Sequence, residues 1–367
     1  MVHDALNSEP DPTRPSSPLP VRSPAEAIAC VPYLFGFVPR RSAVLLLTDE
    51  QGDLALSCRV DLPRPDDVET WTREIGDVVV RALGRRCVRN PGGRRTGDAL
   101  IIAFAASRGE RMVRAAVPAL ARVLEEKGIR VLDQLWTWGS RWRSLSCPDP
   151  VCCPPGGKRI GAEAHARAAG AFPGREVVAR REDLRAALQP ADPLTIAEVE
   201  RLLDEIPPVG EDRRDIAISQ AHDLLVGATS SPVEAGREAR VEAQMPSPAD
   251  SAMVLAALRD TRVRDTLIWD LLRAPRGSWN VMRSVLECLV RCAPRGDVAP
   301  AATVLGILHW QCGDGTRASV ALQRAREDDP AYSLAELVDA SIAAGMPPGE
   351  WLAGLRGLTR DACRRAG

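Results

Sequence analysis

Ala99-Leu100-Ile101-Ile102-Ala103-Phe104, followed by Met112, Val113, Ala116, Val117, Leu120, Val123 and Leu124, and then by Ile129 to Trp136, is the stretch that decides the fold. The first run is short, apolar and without alternation, the pattern of a strand covered on both faces. The second set recurs at three- and four-residue intervals and so lines one side of a helix. Gly128 stands where a helix stop belongs, and Ile129 to Trp136 reads as a further strand. Strand, helix, strand in that order is a βαβ unit, which pairs its strands in parallel through a right-handed crossover.

Working outward, Val68, Trp71, Ile75, Val78, Val79, Ala82 and Leu83 form an earlier helical stripe. Before it, Ala43 to Leu47 and Leu54 to Leu62 flank the turn residues Glu50-Gln51-Gly52-Asp53, a β-hairpin pattern. Residues 23–175 are therefore expected to form an α/β domain with a mixed, partly parallel sheet and a cysteine-rich loop at 141–160. Residues 1–22, with five prolines among Ser, Asp and Glu, read as a disordered tail.

Beyond Gly161 the strand signals stop. Ile196, Val199, Leu202, Leu203 and Ile206 make one helical stripe, ending at Pro207-Pro208, and Ile216 to Leu225 make another, so 176–226 is expected as a helical connector. Residues 227–248 are rich in Ser, Pro, Glu and Gly and read as a linker. Residues 249–367 are expected to be all-helical, with stripes over Val263 to Leu271 and Val281 to Cys292 and four shorter segments after Asp297. Leu305, Gly306, Ala318, Leu322, Ala325 and Pro330 fall at tetratricopeptide-like offsets, but the pattern does not repeat. A single helical hairpin inside an α-domain is the simpler reading.

The 367 residues exceed the size at which one core usually stops growing, which favours two domains. With 45% apolar and 26% charged residues, wholesale disorder is excluded. A formal net charge of −1 gives no global field for nucleic acid or an anionic membrane. Lysine occurs only at Lys127 and Lys158, a skew that reads as coding bias toward arginine. There is no secretory start and no apolar run of roughly 20 residues, so a cytoplasmic protein is expected. Its ten cysteines would then be reduced, and Cys30, Cys58, Cys288 and Cys292 lie among apolar neighbours as small hydrophobes.

Several segments resemble an actinobacterial family known as domain of unknown function 4192. They are Pro24-Ala25-Glu26 through Val31-Pro32-Tyr33-Leu34-Phe35-Gly36-Phe37-Val38-Pro39; Arg59-Val60-Asp61-Leu62-Pro63; Arg141-Trp142-Arg143-Ser144 through Cys147 to Pro155; and Trp310-Gln311-Cys312-Gly313-Asp314-Gly315 through Asp329-Pro330-Ala331-Tyr332-Ser333-Leu334-Ala335. The chain departs from that pattern at Arg40-Arg41-Ser42, where an acidic residue is expected, and at Leu145-Ser146, where an aromatic is expected. The resemblance implies no reaction, ligand or catalytic residue.

The constellation with most chemical content is Cys147, Cys152 and Cys153, in a Pro/Gly-rich segment expected to be exposed. Zinc takes four ligands in a tetrahedron, often with two to four residues between paired cysteines. Cys147 and Cys152 fit that spacing, Cys153 is a third candidate ligand and His165, on the following helix, a fourth. A reactive thiol would need a cation or base to depress its pKa, and none is evident from the sequence, although Arg141, Arg143 and Arg159 are nearby. The bland alternative is a loop whose cysteines tuck against the α/β domain beside Trp136, Trp138 and Trp142. Arg85 to Arg95 has arginines and glycines suited to phosphate but lacks a phosphate-loop ending, so a solvated loop is expected and nucleic acid is not. Gly156-Gly157-Lys158 is too short for a nucleotide motif. His3 lies in the tail, and His222 and His309 sit in helical stripes. Asp61 and Ser107 follow strands, where ligands of open sheets collect.

No catalytic set emerges and no cofactor other than zinc is indicated. The leading expectation is a protein-interaction or scaffold role through the C-terminal helices, with an unidentified protein partner and no membrane. The alternative is an enzyme or small-ligand binder using the strand ends and the cysteine loop.

Overall fold

The computed structural model describes residues 21–48, 54–87, 98–107, 111–172, 175–226 and 246–365. Most of the expected tail, the turn at 50–53, the arginine connector beyond Cys87 and most of the linker lie outside these residues. The chain divides into two compact units: Met1–Arg181 with Ala343–Pro347, and Glu182–Ile342 with Pro348–Gly367.

In the first unit, β1 (Ser42–Thr48) and β2 (Leu54–Asp61) pair antiparallel, as the hairpin pattern predicts. Next come α2 (Val68–Cys87), β3 (Asp98–Ala105), α3 (Arg111–Glu126) and β4 (Arg130–Trp138). The pair β3 and β4 is parallel, with Ile102 opposite Leu135. Since β1 is antiparallel to both β2 and β3, those two strands run the same way, and α2 is a crossover that spans β1. Two short strands that the sequence reading did not anticipate extend the sheet: β5 (Arg141–Ser144) and β6 (Lys158–Arg159), giving the order β2-β1-β3-β4-β5-β6.

Side-chain alternation assigns the faces. Leu45, Leu47, Ile101, Ala103 and Trp136 lie on one side, packed with Ile75 and Val79 of α2 and Val113, Val117, Leu120 and Leu124 of α3. Val44, Ile102 and Leu135 point the other way and are equally inaccessible. Arg59 shares their face through its pairing with Val44, and its guanidinium lies 5.8 Å from the Phe37 ring centre. Phe37 follows α1 (Pro24–Phe35), a helix absent from the expectations although its start signals are plain. Ser23 caps it by accepting from the Glu26 N–H, Pro24 opens it, and Gly36 closes it at φ 75°. Helix α1 packs on α4 (Ala162–Ala171) through Ala29, Cys30, Ala164 and Ala168.

The second unit is helical: α5 (Arg181–Ala186), α6 (Pro193–Glu205), α7 (Arg214–Val226), α8 (Pro248–Arg259), α9 (Thr261–Leu271), α10 (Trp279–Cys292), α11 (Val298–Gln311), α12 (Gly315–Asp328), α13 (Ser333–Ala343), α14 (Pro348–Gly354) and α15 (Arg360–Arg365). Two expectations need correcting. Helices α6 and α7 are not a separate connector but pack against α8 and α9 within this unit. Five helices, not four short segments, follow Asp297, and the first two have 14 residues each.

Every residue of α11 is buried, which is why its sequence is apolar on all sides. Its N-terminal amides are met by the Asp328 carboxylate, which accepts from Gly296, Val298 and Ala299 N–H groups. Asp297, just before it, holds Arg259 of α8 in a two-pronged pair at 2.6 and 2.7 Å. Helices α11 and α12 form a hairpin in very close contact. A methyl group on Gly306 would meet Leu322 Cγ at 3.0 Å and the Ala318 carbonyl oxygen at 3.3 Å. No helix among the described residues is long and apolar enough to cross a membrane.

Two outcomes are expected. Gly306→Val forces α12 outward, lowering stability by about 1–3 kcal/mol in a denaturant titration, as overpacking does. His309, buried in α11, is held neutral below the usual histidine range, first by burial; Glu287 and Asp314 oppose that shift and Arg283 adds to it. As pH falls through about 6.5 the unfolded chain takes up a proton that the folded chain resists, so stability is lost with acidification. Thermal melts between pH 7.5 and 5.5 should therefore decline less for His309→Gln than for the wild type.

Candidate metal centre

The loop between β5 and β6 starts from a hydroxyl. Ser144, the last residue of β5, donates to Asp133 Oδ1 at 2.6 Å and accepts from the backbone N–H groups of Ser146 and Cys147, both at 3.1 Å. These contacts turn the chain away from the sheet just before the first cysteine. Within the loop, Asp149 is the organiser. Its carboxylate accepts from the Val151 N–H at 2.8 Å and its carbonyl from the Cys153 N–H at 2.7 Å. Pro148, Pro150, Pro154 and Pro155 restrict the backbone between these points.

The return to β6 is equally constrained. The Gly157 N–H donates to the Pro154 carbonyl, and Arg141 Nη1 donates to the carbonyls of Gly156 and Gly157. Gly157 has φ 71° and lies so close to Trp138 that a methyl group there would sit 2.7 Å from the ring. Only glycine meets both demands. Gly157 is thus set against Trp138, and Lys158 lies over the Trp142 ring at 5.8 Å.

The result is convergence of three thiols. The sulfurs of Cys147, Cys152 and Cys153 all lie within 4.8 Å of one another, the one group of three or more potential metal ligands among the described residues. Cys153 is buried, Cys147 half-buried and Cys152 exposed. His165, the fourth candidate from sequence, is exposed on α4 and is not part of this group.

The thiols are not equivalent. The Asp149 backbone N–H, followed by the Cys153 and Cys152 thiols, hydrogen-bonds to the Cys147 sulfur and holds its pKa below the usual thiol range. Cys152 is pushed up, chiefly because Cys147 holds its proton, while the Lys158 ammonium acts in the opposite direction. Burial, by contrast, pushes Cys30 up to about 11, so that thiol stays protonated as a core residue does. The hydrogen-bonded amide therefore favours the thiolate at Cys147 over that at Cys152.

The sequence reading weighed Lys158 only within Gly156-Gly157-Lys158 and looked to the arginines for a cation near the thiols. One signal was present: lysine is used only twice in this chain. Lys127, the other, is committed to Asp77 at 2.7 Å.

Other candidate positions do not gather into a site. The Asp61 carboxylate is taken by Arg59, and Ser107 lies after β3 at a strand end. Two open clefts of about 460 and 550 Å³ occur in the helical unit, but their charges are paired internally: Arg326 with Asp339 in one, Arg360 with Asp270 and Arg364 with Asp215 in the other. His222 is half-exposed beside Asp223.

No curated protein and no solved structure matches the chain. The model of a family described as a domain of unknown function, DUF4192, matches residues 24–349. That span begins with the first residue of α1, includes the whole thiol loop and ends within α14, so the chain belongs to the DUF4192 family.

Proposed function

We propose that this protein binds a zinc ion on Cys147, Cys152 and Cys153, and that metal binding at the edge of the α/β sheet is its principal chemistry. The observation that carries the reading is the mutual approach of the three sulfurs to within 4.8 Å. A zinc ion with sulfurs at about 2.3 Å in a tetrahedron separates them by about 3.8 Å, so the loop needs to contract by no more than about 1 Å. Thiolates are soft donors suited to zinc, and the three come from a loop already held by hydrogen bonds and prolines, which limits the entropy lost on binding.

The three-ligand set resembles zinc sites that keep one position open rather than structural sites closed by four residues. That favours a ligand-handling centre over a purely architectural clip. The scaffold expectation for residues 249–367 has less behind it: Leu337 and Leu358 are exposed singly, and isolated exposed apolar residues are ordinary.

Two measurements test the proposal on the full-length chain. Purified protein should carry close to one zinc per chain by elemental analysis, and Cys153→Ser should lose most of it; absence of stoichiometric zinc from a wild type reconstituted under reducing conditions defeats the reading. Zinc at about 100 times its dissociation constant should stabilise the folded wild type by about 2.7 kcal/mol, a gain that chelation reverses. Gly157→Ala, forced into a left-handed conformation costing about 1–2 kcal/mol and against the Trp138 ring, should weaken zinc binding while leaving the far-ultraviolet helical signal of the chain intact.

A further inference from the structure

The three thiols leave a question of coordination. All three belong to one seven-residue segment, so an ion among them has its fourth position turned away from the triangle of sulfurs. Among the described residues no His, Cys, Asp or Glu joins the group to fill that position. Asp149, the nearest carboxylate in sequence, is occupied with the Val151 N–H. Cys153 forms the buried side of the triangle and Cys152 the exposed side, so the group opens to solvent along Cys152. Lys158, on β6 where the chain returns from the loop, is the cation whose charge acts on Cys152. It is exposed, it is steered by the Trp142 ring, and no ion pair is formed by it among the described residues.

Charge and softness then select the ligand. Zinc with three thiolates carries a net charge of −1. Much of its Lewis acidity is already spent on sulfur, so it activates water less than a zinc held by neutral imidazoles does. A fourth soft donor competes well at such a centre. Binding a thiol raises the anionic charge of the complex to −2, and an ammonium group at the rim offsets that rise.

We infer that the open position takes a low-molecular-weight thiol from solution, bound as the zinc thiolate, with Lys158 at the rim as its charge partner. The inference rests on the zinc reading above. In the step itself the S–H bond of the incoming thiol breaks, a zinc–sulfur bond forms in place of bound water, and the proton leaves to solvent. No oxidant or reductant is consumed. Coordination holds the sulfur as a thiolate at neutral pH, where the free thiol is mostly protonated, and so presents it as a nucleophile.

The test uses the full-length chain loaded with zinc, with 2-mercaptoethanol as the thiol probe and ethanol as the oxygen-donor control. X-ray absorption at the zinc edge should count three sulfurs and one lighter atom before addition and four sulfurs after it, with no change from ethanol. In the cobalt-substituted protein, the near-ultraviolet sulfur-to-metal band should rise by about a third, in proportion to thiolates bound. Lys158→Gln should bind cobalt with unchanged stoichiometry but take the thiol about two- to fivefold more weakly, the size of one exposed charge pair, and Lys158→Arg should restore it. If the loaded protein keeps three sulfurs and a light atom at saturating thiol, or already shows four sulfurs without it, the inference fails while the zinc reading stands. Failure of the wild type to take up zinc or cobalt at all removes both.

Discussion

The parallel pairing of β3 with β4 is the constraint on which the rest of the first unit depends. Two adjacent parallel strands cannot be joined by a turn, so α3 must cross between them, and a helix laid on the sheet requires an apolar face beneath it. Ile101, Ala103 and Trp136 supply that face, while Val44, Ile102 and Leu135 are buried on the opposite side. With both faces covered, the sheet has only its edges to offer solvent. One edge is β2; toward the other, β5 ends after four residues and releases the thiol loop, which returns as the edge strand β6.

That edge position explains how a segment with almost no regular structure holds three thiols together. A loop that runs far from a sheet pays for order with its own contacts, and here the contacts are specific. Ser144 and Asp149 satisfy the amides of Ser146, Cys147, Val151 and Cys153, and Arg141 satisfies the carbonyls of Gly156 and Gly157. Trp138 and Trp142 supply the surfaces on which Gly157 and Lys158 rest. The electrostatics follow from this backbone: the amide aimed at Cys147 favours its thiolate, whereas the buried Cys30 has no such donor among the causes of its shift and keeps its proton.

The helical unit obeys a different rule. Its centre is α11, enclosed on all sides, and its neighbours are held by carboxylates placed at helix ends: Asp328 on the start of α11, Asp260 on the start of α9 and Asp250 with Ser247 on the start of α8. Such caps satisfy amides that helix geometry leaves open, and they set the direction in which each helix enters the bundle. Gly306 fixes how closely α11 and α12 approach. Most charged residues that line the surface clefts are engaged in ion pairs, Arg326 with Asp339, Glu327 with Arg185, Arg360 with Asp270 and Arg364 with Asp215.

Elements long enough to show a period were determined by the sequence alone: the β1–β2 hairpin, α2, β3, α3, β4 and the later helical stripes, because alternation and helical spacing are local properties of the chain. Helix α1 was also legible, in Ser23, Pro24, Glu26 and Gly36, but lies in a stretch whose apolar residues do not form a narrow stripe. Strands β5 and β6, with four and two residues, carry no usable period; β5 forms on the edge that β4 offers, and β6 on the edge of β5. For the thiols, residue spacing named Cys147, Cys152 and Cys153, yet it also named His165, which lies on the exposed side of α4 and is not part of their group. The turns that bring the thiols together are made by local bonds to Ser144 and Asp149, but the loop is fixed to the sheet by contacts far apart in sequence: Ser144 to Asp133, Arg141 to Gly156 and Gly157, and Gly157 against Trp138. Lys158 is likewise placed by tertiary structure, through the pairing of β6 with β5 and the Trp142 ring on the strand beside it.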